Sequence, residues 1–273
     1  MDDLSSKKGA VLKTDEGVYA IRHHRLFYRG LTPLRHGRQL QPSLVFLHEG
    51  LGCTAMWHDF PARVVADTGL CGVSYDRAGY GRSQGASRPR GKDYLHVEAR
   101  ETLPRILECH QIEKAVLIGH SDGGSIALLA AAACPEKIIG IITEAAHVFV
   151  EDITLAGIRD TVAAYEKRHL EKRLARYHGA KARELFFAWA DTWLSPWFRD
   201  WNIEDVLGRI QCPALIIQGR EDPYGSTRQV QSIVAGIGPQ ASPLLIPDCG
   251  HAPHRDTPGR VRRAILEFIE ALR

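Results

Sequence analysis

A serine between two glycines constrains the fold of this chain more than any other feature. The segment Gly119-His120-Ser121-Asp122-Gly123 has the pattern G-x-S-x-G and lies between an apolar run at 115–118 and an alanine-rich stretch at 125–133. A sharp turn from a strand into a helix leaves no room for side chains two residues either side of its centre, which explains both glycines. The pattern also occurs by chance in glycine-rich turns. The flanking strand and helix favour a turn that lifts the serine hydroxyl above a sheet edge, at a helix N-terminus.

Short apolar runs alternate with helical stretches along most of the chain. Residues 18–29 alternate as an antiparallel edge hairpin would. Buried strands are predicted at 44–47, 71–75, 115–118, 138–142, 214–217 and 243–246, and helices at 56–68, 93–110, 125–133 and 258–272, with a kink at Pro104. Apolar strands separated by helices indicate an α/β fold with a mostly parallel sheet and helices on both faces.

One stretch breaks this alternation. Residues from about 147 to 210 contain charged helical segments and several tryptophans but no candidate strand. The stretch is too long for a simple connection and too helical for a disordered one. We therefore predict a helical cap at 147–205, inserted into a core made of residues 1–146 and 206–273.

The composition and net charge of the chain indicate which kinds of binding partner to expect. The chain has 273 residues, a formal net charge of +3, 44% hydrophobic residues and 25% charged residues. Such values are ordinary for a globular protein and predict no nucleic acid and no membrane surface as partner. We find neither a secretory segment nor an apolar run near the roughly 18 residues of a membrane span. The six cysteines form no CxxC pair, which favours reduced thiols and a cytoplasmic location. Homo-oligomerisation stays open.

An acid and a histidine follow two later strands. Asp222 comes shortly after the strand at 214–217, and His251 shortly after the strand at 243–246. Open parallel sheets place their active sites at the carboxyl ends of the strands, where Ser121 is also expected. The serine, the acid and the histidine thus arrive in the order that a hydrolase built around this turn requires.

Other assignments of the acid and the histidine stay open. Glu144, at the end of the strand at 138–142, is the second candidate for the acid. Glu221 is less suitable, because alternation at the strand end should point it away. A helix-capping Asp222 and a structural His251 are the alternatives without function.

At this point the chain resembles the α/β-hydrolase superfamily over nearly its whole length. The segment Asp76-Arg77-Ala78-Gly79-Tyr80-Gly81-Arg82-Ser83 is similar to the D-x-x-G-x-G-x-S turn of members that carry a cap, and the helical insertion looks like their cap domain. Among these members the chain looks most like cap-bearing esterases and meta-cleavage-product hydrolases. The central residue of the turn is serine and not aspartate, which argues against the haloalkane dehalogenases and epoxide hydrolases of the same fold.

Chemistry gives these residues their roles. A neutral serine hydroxyl is a weak nucleophile, so Ser121 needs a base within hydrogen-bonding reach. His251 would take the proton and return it to the leaving group, while Asp222 would fix the tautomer of His251 and stabilise its imidazolium form. Neither a metal nor an organic cofactor is expected. His251 and His254 are no metal pair, because Pro253 prevents a regular helix and no third ligand is near in sequence.

An oxyanion hole needs two N–H donors. The resemblance implies the backbone N–H of Asp122 as one donor and that of Gly50, or else Leu51, as the other. The family pattern there begins His-Gly, whereas this chain has His48-Glu49-Gly50, with Glu49 in place of the first glycine. A bare carboxylate beside an oxyanion would oppose catalysis, so we expect Glu49 to turn away or to pair with a cation, with Arg77 as the first candidate. A solvated loop carboxylate is the alternative.

The cap and the loop after the strand at 44–47 offer candidates for the substrate pocket. Glu49, His147, Trp189 and Trp193 are its candidate residues, although a lone histidine is more often structural. The tryptophans at 189, 193, 197 and 201 recur every four residues, and they either hold the cap on the core or line an apolar acyl site.

These features predict a serine hydrolase that cleaves a small to medium carboxylic ester through an acyl-enzyme. The same three residues would also serve in hydrolysis of a carbon–carbon bond or a thioester. A carbon–carbon hydrolase would need a carboxylate clamp, for which arginines of the cap or of the 77–90 loop are available. A non-catalytic ligand receptor is the remote alternative.

Overall fold

The computed structural model describes residues 11–34, 42–85 and 90–272, and within these ranges it contains a single eight-stranded sheet. The strands are β1 (Leu12–Ile21), β2 (His24–Pro33), β3 (Ser43–Leu47), β4 (Gly72–Tyr75), β5 (Ala115–His120), β6 (Ile138–Glu144), β7 (Ala214–Gly219) and β8 (Ala241–Ile246). Their order in the sheet is β1-β2-β4-β3-β5-β6-β7-β8. The predicted α/β fold is confirmed.

The sheet is parallel from β4 to β8, and only the first two strands are antiparallel. β1 pairs antiparallel with β2 and β2 with β4, and all the other pairings are parallel. β5 lies between β3 and β6 near the centre of the sheet. The carboxyl ends of β3, β5, β7 and β8 therefore meet at one edge, where ligands bind in open sheets of this kind.

Helices cover both faces of the sheet. They are α1 (Phe60–Thr68), α2 (Tyr94–Val97), α3 (Leu103–Cys109), α4 (Asp122–Ala133), α5 (Asp152–Ala163), α6 (Leu170–His178), α7 (Ala182–Leu194), α8 (Thr227–Ile237), α9 (Pro253–Asp256) and α10 (Pro258–Ala271). Along β3, Leu44 and Phe46 join the apolar cluster with α1 and α10, while Val45 and Leu47 join the cluster with α3, α4 and α8. Both faces of the central strands are thus buried, which accounts for their continuous apolar runs.

Two predicted helices are interrupted. In place of one helix at 56–68, a 3-10 turn at Thr54–Trp57 is separated from α1 by His58, whose φ is 52°. The segment 93–110 divides into α2, a π-type turn at Glu98–Thr102 and α3. Pro104 lies in the first turn of α3 and has no N–H for the carbonyl four residues earlier, so a wider turn precedes it.

Residues 145–213, all within the described part of the chain, connect β6 to β7. They contain α5, α6, α7, short 3-10 turns and one isolated bridge between Phe149 and Asn202. α7 packs against both α5 and α6, which forms a helical insertion. Its division from the core at residues 147 and 205 stays a prediction. No helix of the described residues combines the length and apolar character that a membrane-spanning segment requires.

Candidate active site

Ser121 lies on a strained turn directly between β5 and α4. Its φ is 53° and its ψ is −115°, a conformation that is costly for a residue with a side chain. A Cβ at Gly119 would overlap the backbone of Gly123, and a Cβ at Gly123 would overlap the carbonyl of Leu47. Both flanking glycines are therefore required by close backbone packing. The turn brings the start of α4 against the end of β3.

The structure brings Asp222 and His251 together. Nδ1 of His251 lies 2.9 Å from Oδ1 and 2.9 Å from Oδ2 of Asp222. Asp222 is buried and also accepts hydrogen bonds from the N–H of Tyr224 at 2.8 Å and from Nε2 of Gln218 at 3.3 Å. Burial raises the pKa of Asp222, but the charge and hydrogen bonds of His251 outweigh it, so the pKa lies below its ordinary value. The ionised carboxylate of Asp222 favours the tautomer of His251 that has its proton on Nδ1. Nε2 of His251 is then the basic nitrogen.

Backbone contacts between two loops bring this pair together. A Cβ at Gly219 would overlap the carbonyls of Cys249 and Gly250, so glycine permits the end of β7 to touch the loop after β8. The N–H of Glu221 donates to the carbonyl of Cys249 at 3.0 Å, and the carboxylate of Glu221 accepts from the N–H of Cys249 at 2.9 Å. Glu221 thus braces the loop that carries His251 and leaves the contact with His251 to Asp222.

The second candidate acid, Glu144, has a different partner. Its carboxylate accepts from the N–H of His254 at 2.7 Å and lies 3.1 Å from Nδ1 of the same residue. Both side chains are buried, and the His254 ring packs against Trp57 and Phe60. Glu144 therefore supports the loop beyond His251. Because His254 faces Glu144 while His251 faces Asp222, the two histidines do not converge on one point.

Trp189 packs against the loop after β3. A Cβ at Gly50 would lie 2.7 Å from the indole of Trp189 and 3.3 Å from Oδ1 of Asp122. The two residues whose N–H groups are the predicted oxyanion donors, Gly50 and Asp122, are therefore neighbours in space. The N–H of Asp122 belongs to the first turn of α4, where helix N–H groups have no partner within the helix. Both identities as oxyanion donors stay predictions.

Glu49 lies beside a histidine and not beside the arginine that we expected. Its carboxylate lies 3.6 Å from Nδ1 of His120, whereas Arg77 contacts Glu49 only at the backbone carbonyl. The expected ion pair with Arg77 is wrong, because the guanidinium of Arg77 is bound to the carboxylate of Asp122 at 3.2 Å. Burial raises the pKa of Glu49, but His120 outweighs this effect and the pKa lies well below its ordinary value. The carboxylate is directed at the residue preceding Ser121.

His147 and Trp193 lie beside the catalytic candidates. The ring of His147 is 6.0 Å from that of His251 and 5.4 Å from that of Trp193, measured between centroids. Nε2 of His147 donates to the carbonyl of Tyr224 at 2.9 Å, and burial lowers the pKa of His147, so the ring is neutral. Nε1 of Trp193 donates to the hydroxyl of Tyr94 at 3.2 Å. Trp189 lies beside Gly50, and Trp193 and His147 lie near His251, whereas Trp197 is 43% exposed.

Several groups at this edge were not singled out from the sequence. Tyr94 donates to the carboxylate of Asp122 at 3.1 Å, and His178, from the helical insertion, donates to the carbonyl of Leu51 at 3.0 Å. No sequence pattern marks His178, because its partner lies 127 residues away. In the described ranges, no cluster of three or more histidine, cysteine or acidic residues is arranged to hold a metal ion.

The sequence also matches the model of a protein family. Residues 44–264 match the model of the alpha/beta hydrolase family, a span that includes Ser121, Asp222 and His251. The chain belongs to the alpha/beta hydrolase family. The matched span contains β4 to β8, nearly all of β3 and the helical insertion, whereas β1 and β2 lie before it.

Characterised members of the alpha/beta hydrolase family are similar to this chain. The human serine hydrolase BPHL is 32% identical over 160 residues, which are 55% of this chain and 53% of that protein, so the match spans about half of each. The esterase YbfF of Escherichia coli (strain K12) is 28% identical over 207 residues, 69% of this chain and 80% of that protein. These relatives support a hydrolytic enzyme.

A solved structure confirms the fold. The 2-hydroxy-6-oxo-6-phenylhexa-2,4-dienoate hydrolase of Rhodococcus sp. strain RHA1 superposes with a TM-score of 0.77 at 14% identity, covering 95% of this chain and 100% of the other. At this identity the likeness shows the fold alone.

Proposed function

We propose that this alpha/beta hydrolase cleaves small to medium carboxylic esters through an acyl-enzyme on Ser121. One observation carries the proposal. Nδ1 of His251 is 2.9 Å from both carboxylate oxygens of Asp222, and its loop is joined to the turn of Ser121 by the 2.7 Å hydrogen bond from Nε2 of His120 to the carbonyl of His251. A base that is oriented by a buried acid, on a loop that is bonded to the turn of a strained serine, fits the arrangement that nucleophilic catalysis requires.

In acylation His251 acts first as a base and then as an acid. Nε2 of His251 accepts the proton of the Ser121 hydroxyl while the serine oxygen forms a bond to the ester carbonyl carbon. The carbonyl oxygen becomes an oxyanion, which the N–H groups of Asp122 and Gly50 stabilise. The carbon–oxygen bond to the alcohol then breaks, and His251 returns the proton to the leaving alkoxide. Asp222 stays ionised throughout and stabilises the imidazolium.

Deacylation repeats these steps with water. His251 takes a proton from a water molecule, whose oxygen adds to the acyl carbon and again generates an oxyanion in the same hole. Collapse breaks the bond to Ser121, and His251 gives the proton back to the serine oxygen. The products are a carboxylic acid and an alcohol, and the chain needs no further reactant.

The surroundings favour a substrate with an apolar or aromatic part. The indole of Trp189 lies beside Gly50, and the rings of His147 and Trp193 pack against each other near His251; such walls bury apolar groups. Two arginines of the 77–90 loop are already bound to protein carboxylates, Arg77 to Asp122 and Arg82 to Glu16. Neither is therefore available to hold the carboxylate of a ring-cleavage product. Arg90 differs from these two: its guanidinium lies over the rings of Tyr80 and Tyr94, and its Nη1 is buried without a hydrogen-bond partner, so Arg90 remains a candidate for such a clamp. Arg88 lies outside the described residues.

Labelling with a fluorophosphonate and turnover of p-nitrophenyl butyrate test the proposal. We expect wild type to be labelled and active, and Ser121→Ala to lose both. Ser242→Ala is the matched control, because Ser242 lies exposed on the edge strand β8 and should behave as wild type. Labelling of wild type without turnover of any p-nitrophenyl ester would redirect the assignment to a thioester or carbon–carbon bond. A wild type that is neither labelled nor active would contradict the proposal.

A further inference from the structure

We propose that Arg77 is the positioning residue that sets the geometry of the oxyanion hole. The inference rests on the proposed function, because it concerns the N–H groups that would bind the oxyanion on Ser121. Arg77 is not placed to touch the substrate. It acts through the two loops that carry the donors.

One guanidinium connects both loops. Arg77 is 4% exposed, its Nη1 lies 3.2 Å from Oδ2 of Asp122, and its Nη2 donates to the carbonyl of Glu49 at 2.9 Å. Asp122 carries one predicted donor, and the peptide that follows the carbonyl of Glu49 carries the other, the N–H of Gly50. Because the guanidinium is rigid and planar, the two bonds fix the distance between the two loops.

The bond to the carbonyl of Glu49 also orients the N–H of Gly50. That carbonyl accepts two further hydrogen bonds, from Nδ1 of His48 at 2.8 Å and from the N–H of Gly52 at 3.0 Å. In a planar trans peptide the N–H points opposite to the C=O. With the carbonyl of Glu49 held on the side of Arg77, the N–H of Gly50 points the other way. A flip of this peptide would break three hydrogen bonds.

The next two carbonyls of the loop are held in the same manner. The carbonyl of Gly50 accepts from the hydroxyl of Tyr80 at 3.1 Å, and the carbonyl of Leu51 accepts from Nε2 of His178 at 3.0 Å. Nδ1 of His178 accepts from the N–H of Gly81 at 2.9 Å, so this neutral ring joins the loop to the turn that contains Arg77. The orientation of the loop is therefore built in before substrate arrives. Preorganised donors of this kind stabilise a transition state without reorganisation.

Arg77 has a second effect, on charge. The carboxylate of Asp122 is buried beside the backbone N–H that is the predicted donor, and its neighbours are Arg77 and the hydroxyl of Tyr94. Without a cation, the negative carboxylate would repel an oxyanion in the hole. Arg77 neutralises it. The two effects, orientation and neutralisation, predict different outcomes for substitution of Arg77 and of Asp122.

Four variants separate the two effects: Arg77→Met, Asp122→Asn, the double variant, and Arg82→Met as a matched control. Arg82 lies in the same turn but bonds to the exposed Glu16. For each variant, kcat and KM are measured with p-nitrophenyl butyrate and Kd with trifluoroacetophenone, which forms an oxyanion on an active serine. Far-ultraviolet circular dichroism and Tm report folding.

We expect Arg77→Met to lower kcat by about 10²-fold, the effect of losing one oxyanion donor, with KM little changed. The Kd for trifluoroacetophenone should rise by a similar factor. The kcat of Asp122→Asn should fall less, because Arg77 still holds the carbonyl of Glu49. The kcat of the double variant should stay well below that of wild type. A fifth variant, Arg77→Ala, tests chemical rescue: guanidinium ion in the buffer should partly restore its kcat, a readout that a general loss of stability would not give.

Three results would overturn the proposal. Arg77→Met could equal Arg82→Met in kcat. The double variant could recover the wild-type kcat, which would reduce the role of Arg77 to charge alone. Arg77→Met could also raise KM as much as it lowers kcat while trifluoroacetophenone binds unchanged.

Failure of the ester proposal is distinguishable from failure of this inference. Wild type inactive towards every ester would contradict the proposed substrate, and binding of trifluoroacetophenone would then decide the role of Arg77. Binding to wild type that weakens in Arg77→Met supports the inference. Equal binding to both proteins, or no binding to wild type, contradicts it.

Discussion

The carboxylate of Glu49 lies 3.6 Å from Nδ1 of His120, the residue directly before Ser121. Nε2 of the same ring donates to the carbonyl of His251 at 2.7 Å. Since one nitrogen donates to a carbonyl and the other faces a carboxylate, folding favours the protonated form of His120. Burial lowers the pKa of His120, but Glu49 outweighs this effect and the pKa is raised. His120 thereby joins the loop after β3, the turn of Ser121 and the loop of His251.

This pair predicts a specific dependence of stability on pH. The raised pKa of His120 contributes stability that is complete below the unfolded value of about 6.5 and is lost as pH rises through the folded pKa. The lowered pKa of Glu49 contributes stability above the unfolded value of about 4.3, which is lost as pH falls through the folded pKa. The contribution of the pair is therefore largest between these two values. Glu49→Gln should lower the free energy of unfolding there by about 1 kcal/mol, as for a partly exposed ion pair.

Urea unfolding of wild type and Glu49→Gln from pH 5 to pH 9 measures this difference. The difference in the free energy of unfolding between the two proteins should shrink as the pH rises. Glu101→Gln is the control, because Glu101 pairs with Arg22 at the surface and no histidine takes part in that contact. A difference for Glu49→Gln that stays constant with pH would show that Glu49 is no partner of His120.

Asp222 and Glu144 should respond differently to loss of charge. Asp222→Asn should lower kcat by about 10⁴-fold, because His251 would be held in the wrong tautomer. Glu144→Gln should leave kcat near the wild-type value and lower the free energy of unfolding by about 3 kcal/mol, because it disturbs a buried pair with His254. Ester turnover and urea unfolding of the two variants give the comparison. The reverse pattern would identify Glu144 as the acid that supports catalysis.

Gly50→Ala should damage the hole through a steric clash. The added Cβ would lie 2.7 Å from the indole of Trp189, so either the loop or the ring must move. We expect kcat to fall by about 10²-fold, the effect of misplacing a catalytic group by about 1 Å. Gly259→Ala in α10 is the control, since a Cβ there meets nothing within 4 Å and should stabilise the helix by about 0.5–1 kcal/mol. A Gly50→Ala variant with wild-type kcat would remove Gly50 from the hole.

Trp189→Ala should change which acyl chains the enzyme prefers. Removal of the indole beside Gly50 opens space next to the predicted hole. The ratio of kcat/KM for p-nitrophenyl octanoate to that for the acetate should rise by about tenfold, in the range expected for apolar pocket contacts. Trp197→Ala, at a residue 43% exposed, is the matched control and should keep the wild-type ratio. An unchanged ratio in Trp189→Ala would assign Trp189 to packing of the insertion alone.

Most of the fold could be predicted from the sequence because its signals are local. Apolar runs marked β3 to β8, and the two glycines around Ser121 marked the turn between β5 and α4. The interruptions were harder to predict. His58 breaks the expected helix at 56–68 with a positive φ, which no residue pattern required.

The sequence by itself determined the chemistry that is available: a serine on a strained turn, followed in order by Asp222 and His251. Tertiary structure alone decided which acid meets which histidine. Asp222 lies 29 residues from His251, whereas Glu144 lies 110 residues from His254, and only the packing of the loops distinguishes the two pairs. Tertiary structure also decided the neighbour of the Glu49 carboxylate. The guanidinium of Arg77 is bound to Asp122, and the carboxylate of Glu49 faces His120 instead. Side-chain pairing between distant segments depends on strand order and loop contacts, which leave no periodic trace in the sequence.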